Sequence, residues 1–208
     1  MSERLEAVCR AQPGLLDMPG RGPTRSAIDK WPVAGRVALH RLGLDGDVQS
    51  KHLLPPTTRR LAAGPCRRPD AAHGAAERGR GLPAGRFGEN LRTTGLDLTG
   101  AEIGERWRVG TALLLEVTAP RTPCAKFQAH RGVPRLIKRF TAHGASGAYL
   151  RVLETGDLGA GDPVEVVSRP GHGVTLGLAF RALTTDRALL AELGPVLAVL
   201  PERTGAAV

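Results

Sequence analysis

Aromatic residues, cysteines and long apolar runs are all scarce in this chain, and each shortage excludes something. Phe, Tyr and Trp together make 3% of the 208 residues, so a core has to rest on Val, Leu, Ile and Ala. The three cysteines, Cys9, Cys66 and Cys124, are odd in number and form no CxxC pair. A disulfide framework and a cysteine-built zinc site are therefore not what organises the chain. In a reducing compartment these are free thiols, each to be judged alone. No apolar run reaches the roughly 20 residues that a membrane-spanning helix requires. The opening MSERLEAVCRAQPG lacks the basic and then apolar regions of a signal peptide. The expectation is a cytoplasmic protein with no membrane partner.

Charge is abundant, at a formal net +9, and a basic balance invites a nucleic-acid reading. Its distribution argues against one. Residues 51 to 84 hold seven Lys and Arg and only two acids, Asp70 and Glu77. That leaves +4 for the rest of the chain. The stretch has no Phe, Tyr or Trp to stack on a base, so no nucleic-acid partner is expected.

Three textures follow one another. Residues 1 to 50 and 85 to 180 alternate short apolar stretches with Gly, Pro and Asp, which reads as a strand-rich domain. Val33 to Leu44 is near-alternating and ends in a turn signal, Asp45-Gly46-Asp47. Arg106 to Val117 reads as two strands about Gly110. Ala148 to Leu153 and Val164 to Val167 are two more, separated by Gly156 to Gly161. Pro134 to His143 has Leu136, Ile137 and Phe140 at helical spacing and is closed by Gly144. Thr185 to Leu200 is a second helix, capped by Thr185 or Asp186 and ended by Pro195. Residues 51 to 84 differ in kind. They hold five prolines and no Val, Ile or aromatic residue, so they are expected to form a long, disordered basic loop. The division expected is a β-rich α+β domain over 1–180 and a helical C-terminal tail over 181–208.

Three motifs carry chemistry. Pro120-Arg121-Thr122-Pro123-Cys124 follows an apolar strand. Its two prolines stiffen the loop, and Arg121 is placed to stabilise a thiolate or grip an anion. By itself, a lone cysteine is more often a small packing residue than a ligand. In Gly85-Arg86-Phe87-Gly88-Glu89-Asn90-Leu91, two glycines permit close backbone approach, and Glu89 and Asn90 either bind a polar heterocycle or hold the loop. Ser26 and Lys30, in SAIDKWPV, offer a hydroxyl and a charge for a phosphate, or are surface residues.

Taken together these pieces resemble the MOSC family, the domain named for the C-terminal part of molybdenum cofactor sulfurases, and its small stand-alone bacterial members in particular. The matching text is SAIDKWPVAG, LGLDGDVQ, GRFGENLRTTGL, IGERWRVG, PRTPC, GAYLRVLETG, AGDPVEVV and RPGHGVTLG. It covers most of 24 to 180 outside the middle zone. The resemblance implies a MOSC-type β-barrel with peripheral helices and a pocket for a pyranopterin molybdenum cofactor, molybdopterin. It makes Cys124 the catalytic metal ligand, Lys30 and Arg121 the groups for the cofactor phosphate, and Ser26, Phe87, Glu89 and Asn90 the lining of the pocket. The activity implied is reduction of small N-hydroxylated compounds with electrons from an external donor protein. The alternative is a carrier of the cofactor, or of a metal–sulfur group, without turnover.

The chain departs from the family after GDVQ. A His-Gly-Gly type motif and an apolar helix are missing, and LLPPTTRRLAAGPCRRPDAAHGAAERGRG stands in their place. The length fits while the character does not. Text so rich in Arg, Pro, Ala and Gly is what a GC-rich gene yields out of frame. Residues 53 to 80 are therefore read as a frameshifted segment, and resequencing the locus decides the matter.

Overall fold

Trp107 and Val109 alternate with Arg106 and Arg108, and Gly110 follows at φ +59°. That pattern makes a strand with one apolar face and a tight turn behind it. The computed structural model, which describes residues 2–48, 61–65 and 83–200, shows that hairpin as β9 (Arg106–Val109) and β10 (Leu113–Pro120). In chain order the strands before it are β1 (Arg4–Arg10), β2 (Gly14–Met18), β3 (Gly22–Ser26), β4 (Trp31–Pro32), β5 (Val37–His40), β6 (Gly43–Leu44), β7 (Leu61–Pro65) and β8 (Leu91–Thr94). After it come β11 (Ala148–Glu154), β12 (Gly156–Leu158) and β13 (Val164–Ser168). The helices are α1 (Ala125–Arg131), α2 (Leu136–His143) and α3 (Leu176–Thr184), with a 3-10 helix at Arg187–Val196.

The main sheet has eight strands in the order β13-β9-β10-β11-β7-β8-β1-β4. All neighbours are antiparallel except β7 and β8, which run parallel. Two small sheets, β12-β5-β6 and β2-β3, accompany it. Strand β10 is buried along its whole length, as a central strand covered on both faces must be. Trp107, Leu113, Leu115, Val117 and Leu150 form the middle of the core, and α3 adds Leu176 and Ala179.

The structure corrects the sequence reading in three places. The closed barrel is not found among the described residues, where β13 and β4 are edges. A single bridge joins Arg4 to Pro163, with the Leu5 N–H donating to Asp162 O over 2.9 Å. Val164 N also donates to Glu3 O at 3.0 Å and Gly161 N to Leu5 O at 2.8 Å, and the contact goes no further because the chain turns away at Gly161, where φ is +94°. Second, Leu61–Pro65 lies inside the expected loop yet is strand β7, between β11 and β8. Leu61, Ala62 and Ala63 are buried there, because small apolar side chains suit an inner strand. The rest of the frameshift expectation lies outside the described residues. Third, the segment after Thr185 is not merely peripheral. Asp186 caps it as expected, accepting from Ala188 N. The helix is 3-10, and it puts Leu193 and Val196 into the core. The helix at Leu136–His143 and its Gly144 cap, at φ +77°, agree with the sequence reading.

Candidate functional site

The segment from Gly85 to Asn90 folds back across residues 28 to 30, and its glycines make that possible. Gly85 has φ +87°, and a Cβ there would lie 2.1 Å from Lys30 O. Gly88 has φ +71°, and its Cβ would lie 2.9 Å from Ile28 Cγ1. Both conformation and space therefore demand glycine.

Glu89 clamps this loop from inside. It is 1% exposed. Its Oε1 accepts from Gly85 N at 2.8 Å and its Oε2 from Phe87 N at 2.9 Å, while Arg92 Nε lies 3.6 Å away. Asn90 ties the loop to three other elements. Its Nδ2 donates to Cys9 O at 3.1 Å and to Asp47 Oδ2 at 2.9 Å, and its Oδ1 accepts from Ala62 N. Lys30 is not a free cation. Its Nζ lies 2.7 and 2.9 Å from the two oxygens of Asp47, and the two side chains are 7% and 2% exposed. Burial lowers the Lys30 pKa, and the adjacent Asp47 opposes that shift. Asp47 also accepts from Ala11 N at 2.8 Å.

Arg121 approaches the same loop from β10's end. Its Nη2 donates to Phe87 O at 2.9 Å, and its guanidinium carbon sits 5.9 Å from the Tyr149 ring centroid. Gly147 makes room for its stem, since a Cβ there would lie 3.3 Å from Arg121 Cδ. The Arg121 Nε and the Ser146 Oγ are both buried with no hydrogen-bond partner. A buried orphaned donor on a cation is costly unless an acceptor arrives. Phe87 packs on Phe127 of α1, centroids 5.8 Å apart, and Phe127 meets Phe140 of α2 edge-on at 5.6 Å. These rings fasten the loop to both helices.

Cys124 is the N-cap of α1 and is exposed. Among the described residues its thiol makes no hydrogen bond. Ser26 is buried, and its Oγ accepts from Ile28 N at 3.3 Å. It lines a separate cavity of about 460 Å³ with Trp31 and His130. The structure thus joins Lys30, Glu89, Asn90, Phe87 and Arg121 around one loop. Cys124 follows Arg121 on α1's approach, and Ser26 stands to one side. The sequence reading missed Asp47 and Arg92. Asp47 had a signal, since it lies in LGLDGDVQ and a buried lysine needs a carboxylate. Arg92 had none, because its burial depends on the sheet.

The MOSC domain family profile matches residues 66–165. The chain is 40% identical over 86 residues to a protein named Reductase from Gibberella moniliformis, covering 41% of the chain and 15% of that protein. It is 29% identical over 188 residues to protein YflK of Bacillus subtilis, covering 89% and 83% of the two chains. It is 33% identical over 153 residues to protein YiiM of Escherichia coli, covering 69% and 65%. The chain therefore spans only a small part of the fungal reductase and most of each bacterial protein. Among solved structures, YiiM from Geobacillus stearothermophilus superposes with a TM-score of 0.72 at 25% identity, covering 97% of this chain and 95% of that one.

Proposed function

Because the chain belongs to the MOSC domain family, we propose that it binds a pyranopterin molybdenum cofactor at the Arg121–Cys124 loop and uses it to reduce N-hydroxylated compounds. The observation that carries the reading is the pairing of an exposed thiol at Cys124 with a buried, unpartnered N–H on Arg121 in one rigid loop. A soft thiolate and a fixed cation are the donor set that a soft metal on an anionic cofactor calls for. The fungal relative's name, Reductase, supports redox chemistry.

The residues fit the group in part. Cys124 would ligate the metal. Arg121 Nε would donate to an anionic oxygen, and Ser146, which precedes the Gly147 that packs on the Arg121 stem, would offer its buried hydroxyl as a second partner. Lys30 is already neutralised by Asp47, so it positions the wall rather than gripping a phosphate. Glu89 and Asn90 hold the loop by spending their polar atoms on backbone and Asp47. Bound there, the cofactor supplies the two-electron change. The net reaction takes an N–OH compound, two electrons and two protons to the N–H compound and water.

Purified protein is assayed for molybdenum and pterin, then for reduction of an N-hydroxylamine with reduced viologen. The expectation is stoichiometric metal and turnover. Cys124→Ser should lose both, since a protonated serine oxygen is a poor soft-metal ligand. Arg121→Ala should lower cofactor retention about tenfold, the loss expected for one charge-assisted hydrogen bond. Bound molybdenum without turnover would leave the carrier reading in its place. Full turnover in Cys124→Ser would overturn the assignment of the ligand.

A further inference from the structure

Between Glu116 and Glu154 the chain has seven Lys and Arg residues and no acid. Lys126, Arg131, Arg135, Lys138 and Arg139 lie on or between α1 and α2. Arg135 and Lys138 are exposed. The β2–β3 hairpin packs against α1 and adds Arg21 and Arg25, also exposed. Between hairpin and helix runs an open cleft of about 500 Å³. Its floor includes Met18, Ala125, Ala129, Val133 and Pro134, and Arg21 and Asp17 stand beside it. Ala125 is the residue after Cys124, so the cleft opens next to the exposed thiol.

We propose that this cationic α1–α2 face, with its apolar cleft, is the docking surface for an acidic electron-donor protein. The inference rests on the reductase reading, because each N–OH reduced consumes two electrons that a donor must deliver near Cys124. Two one-electron deliveries from a reduced carrier, with two protons from solvent, balance the reaction. A field of one sign steers an oppositely charged protein and fixes its orientation, and an apolar centre inside a polar rim is the anatomy of a protein interface. A nucleic acid is the poorer fit. Phe127 is buried and Phe140 half-buried in the ring cluster, so the two helices present no aromatic platform for bases.

The test measures binding of a flavodoxin, a small acidic flavoprotein, to the full chain. Affinity should fall about tenfold between low and moderate salt, where the screening length shortens from about 30 Å to about 8 Å. The double variant Arg21→Glu/Arg135→Glu should weaken binding about tenfold, and Lys138→Glu alone severalfold, with unchanged circular dichroism. In turnover, both should raise KM for the flavodoxin and leave viologen-driven turnover as it was. Binding indifferent to salt and to these charges would overturn the proposal. So would a single-stranded oligonucleotide that binds more tightly than the flavodoxin and loses affinity with the same substitutions. Failure of viologen-driven turnover in the unaltered protein would refute the reductase reading by itself, while the binding measurements still decide the face.

Discussion

Replacing Asp47 with Ala removes the only carboxylate that the buried Lys30 touches among the described residues. Both Lys30 hydrogen bonds go to Asp47, so the ammonium is left uncompensated in a site where its side chain is 7% exposed. Breaking a buried pair from one side costs about 3–5 kcal/mol. The Ala11 N–H loses its acceptor too, which adds about 1 kcal/mol. Asn90 keeps Cys9 O and adds little. The expected loss is about 4–6 kcal/mol, a large part of the roughly 5–15 kcal/mol that stabilises a domain. Lys30→Met should cost less, because Asp47 keeps the N–H groups of Ala11 and Asn90. The double variant Lys30→Met/Asp47→Leu should be far more stable than the sum of the singles predicts. Urea unfolding measures all three. A pH series adds a signature. Burial lowers the Lys30 pKa and Asp47 opposes this, so losing Asp47 lowers it further. A lysine whose folded pKa lies below its unfolded value of about 10.4 penalises the fold at lower pH. The penalty fades as pH rises through the folded value. The deficit of Asp47→Ala relative to the parent should therefore narrow between neutral pH and pH ~10. Additive singles, or an Asp47→Ala cost below about 1 kcal/mol, would refute the reasoning.

Four further outcomes follow from the same geometry. Native protein treated with iodoacetamide at mildly alkaline pH should label Cys124 and spare Cys9, which is buried with its pKa pushed up to about 12 by burial and by Glu89; mass spectrometry of the labelled peptides checks this, and Cys9 should react only in denaturant. Glu89→Gln places an amide NH₂ against either Gly85 N–H or Phe87 N–H, donor against donor, so unfolding should show a loss of about 2–3 kcal/mol. Gly85→Ala drives a Cβ into Lys30 O, so it should cost several kcal/mol (about 3 or more) in the same assay and release the loop to proteolysis. Deleting residues 185–208 removes Leu193 and Val196 from the core and should cost about 3–6 kcal/mol, yet molybdenum per folded molecule should not change, because that segment supplies none of the site residues.

The candidate site was legible in the sequence as types and spacings, and less so as roles. Cys124 and Arg121 stand together in five residues, so no tertiary information was needed to pair them. Lys30, Glu89 and Asn90, grouped through the family resemblance, lie near one loop in the fold, but their work was not visible. A lysine in sequence looks like a surface charge. Only its burial against Asp47, seventeen positions on, turns it into an internal ion pair. The helix at Leu136–His143 was readable from its period and its glycine stop, whereas α1 was not, because Ala125–Arg131 is short and buries only Phe127.

What the sequence by itself determined was local and compositional: the strand-rich texture, the β9–β10 hairpin around Gly110, the stiff PRTPC loop, and the glycines of GRFGEN. Backbone sterics and side-chain alternation act over a few residues, so they show in a single chain. Tertiary structure decided the long-range partners. It placed Leu61–Pro65 between two strands that are distant in sequence, limited the contact between β1 and the start of β13 to one bridge at Arg4 and Pro163, and buried Leu193 and Val196 at a segment that reads as a tail. It also left Arg121 Nε without a partner while satisfying Lys30. Burial and hydrogen-bond satisfaction are properties of surroundings, and surroundings exist only once the chain has folded.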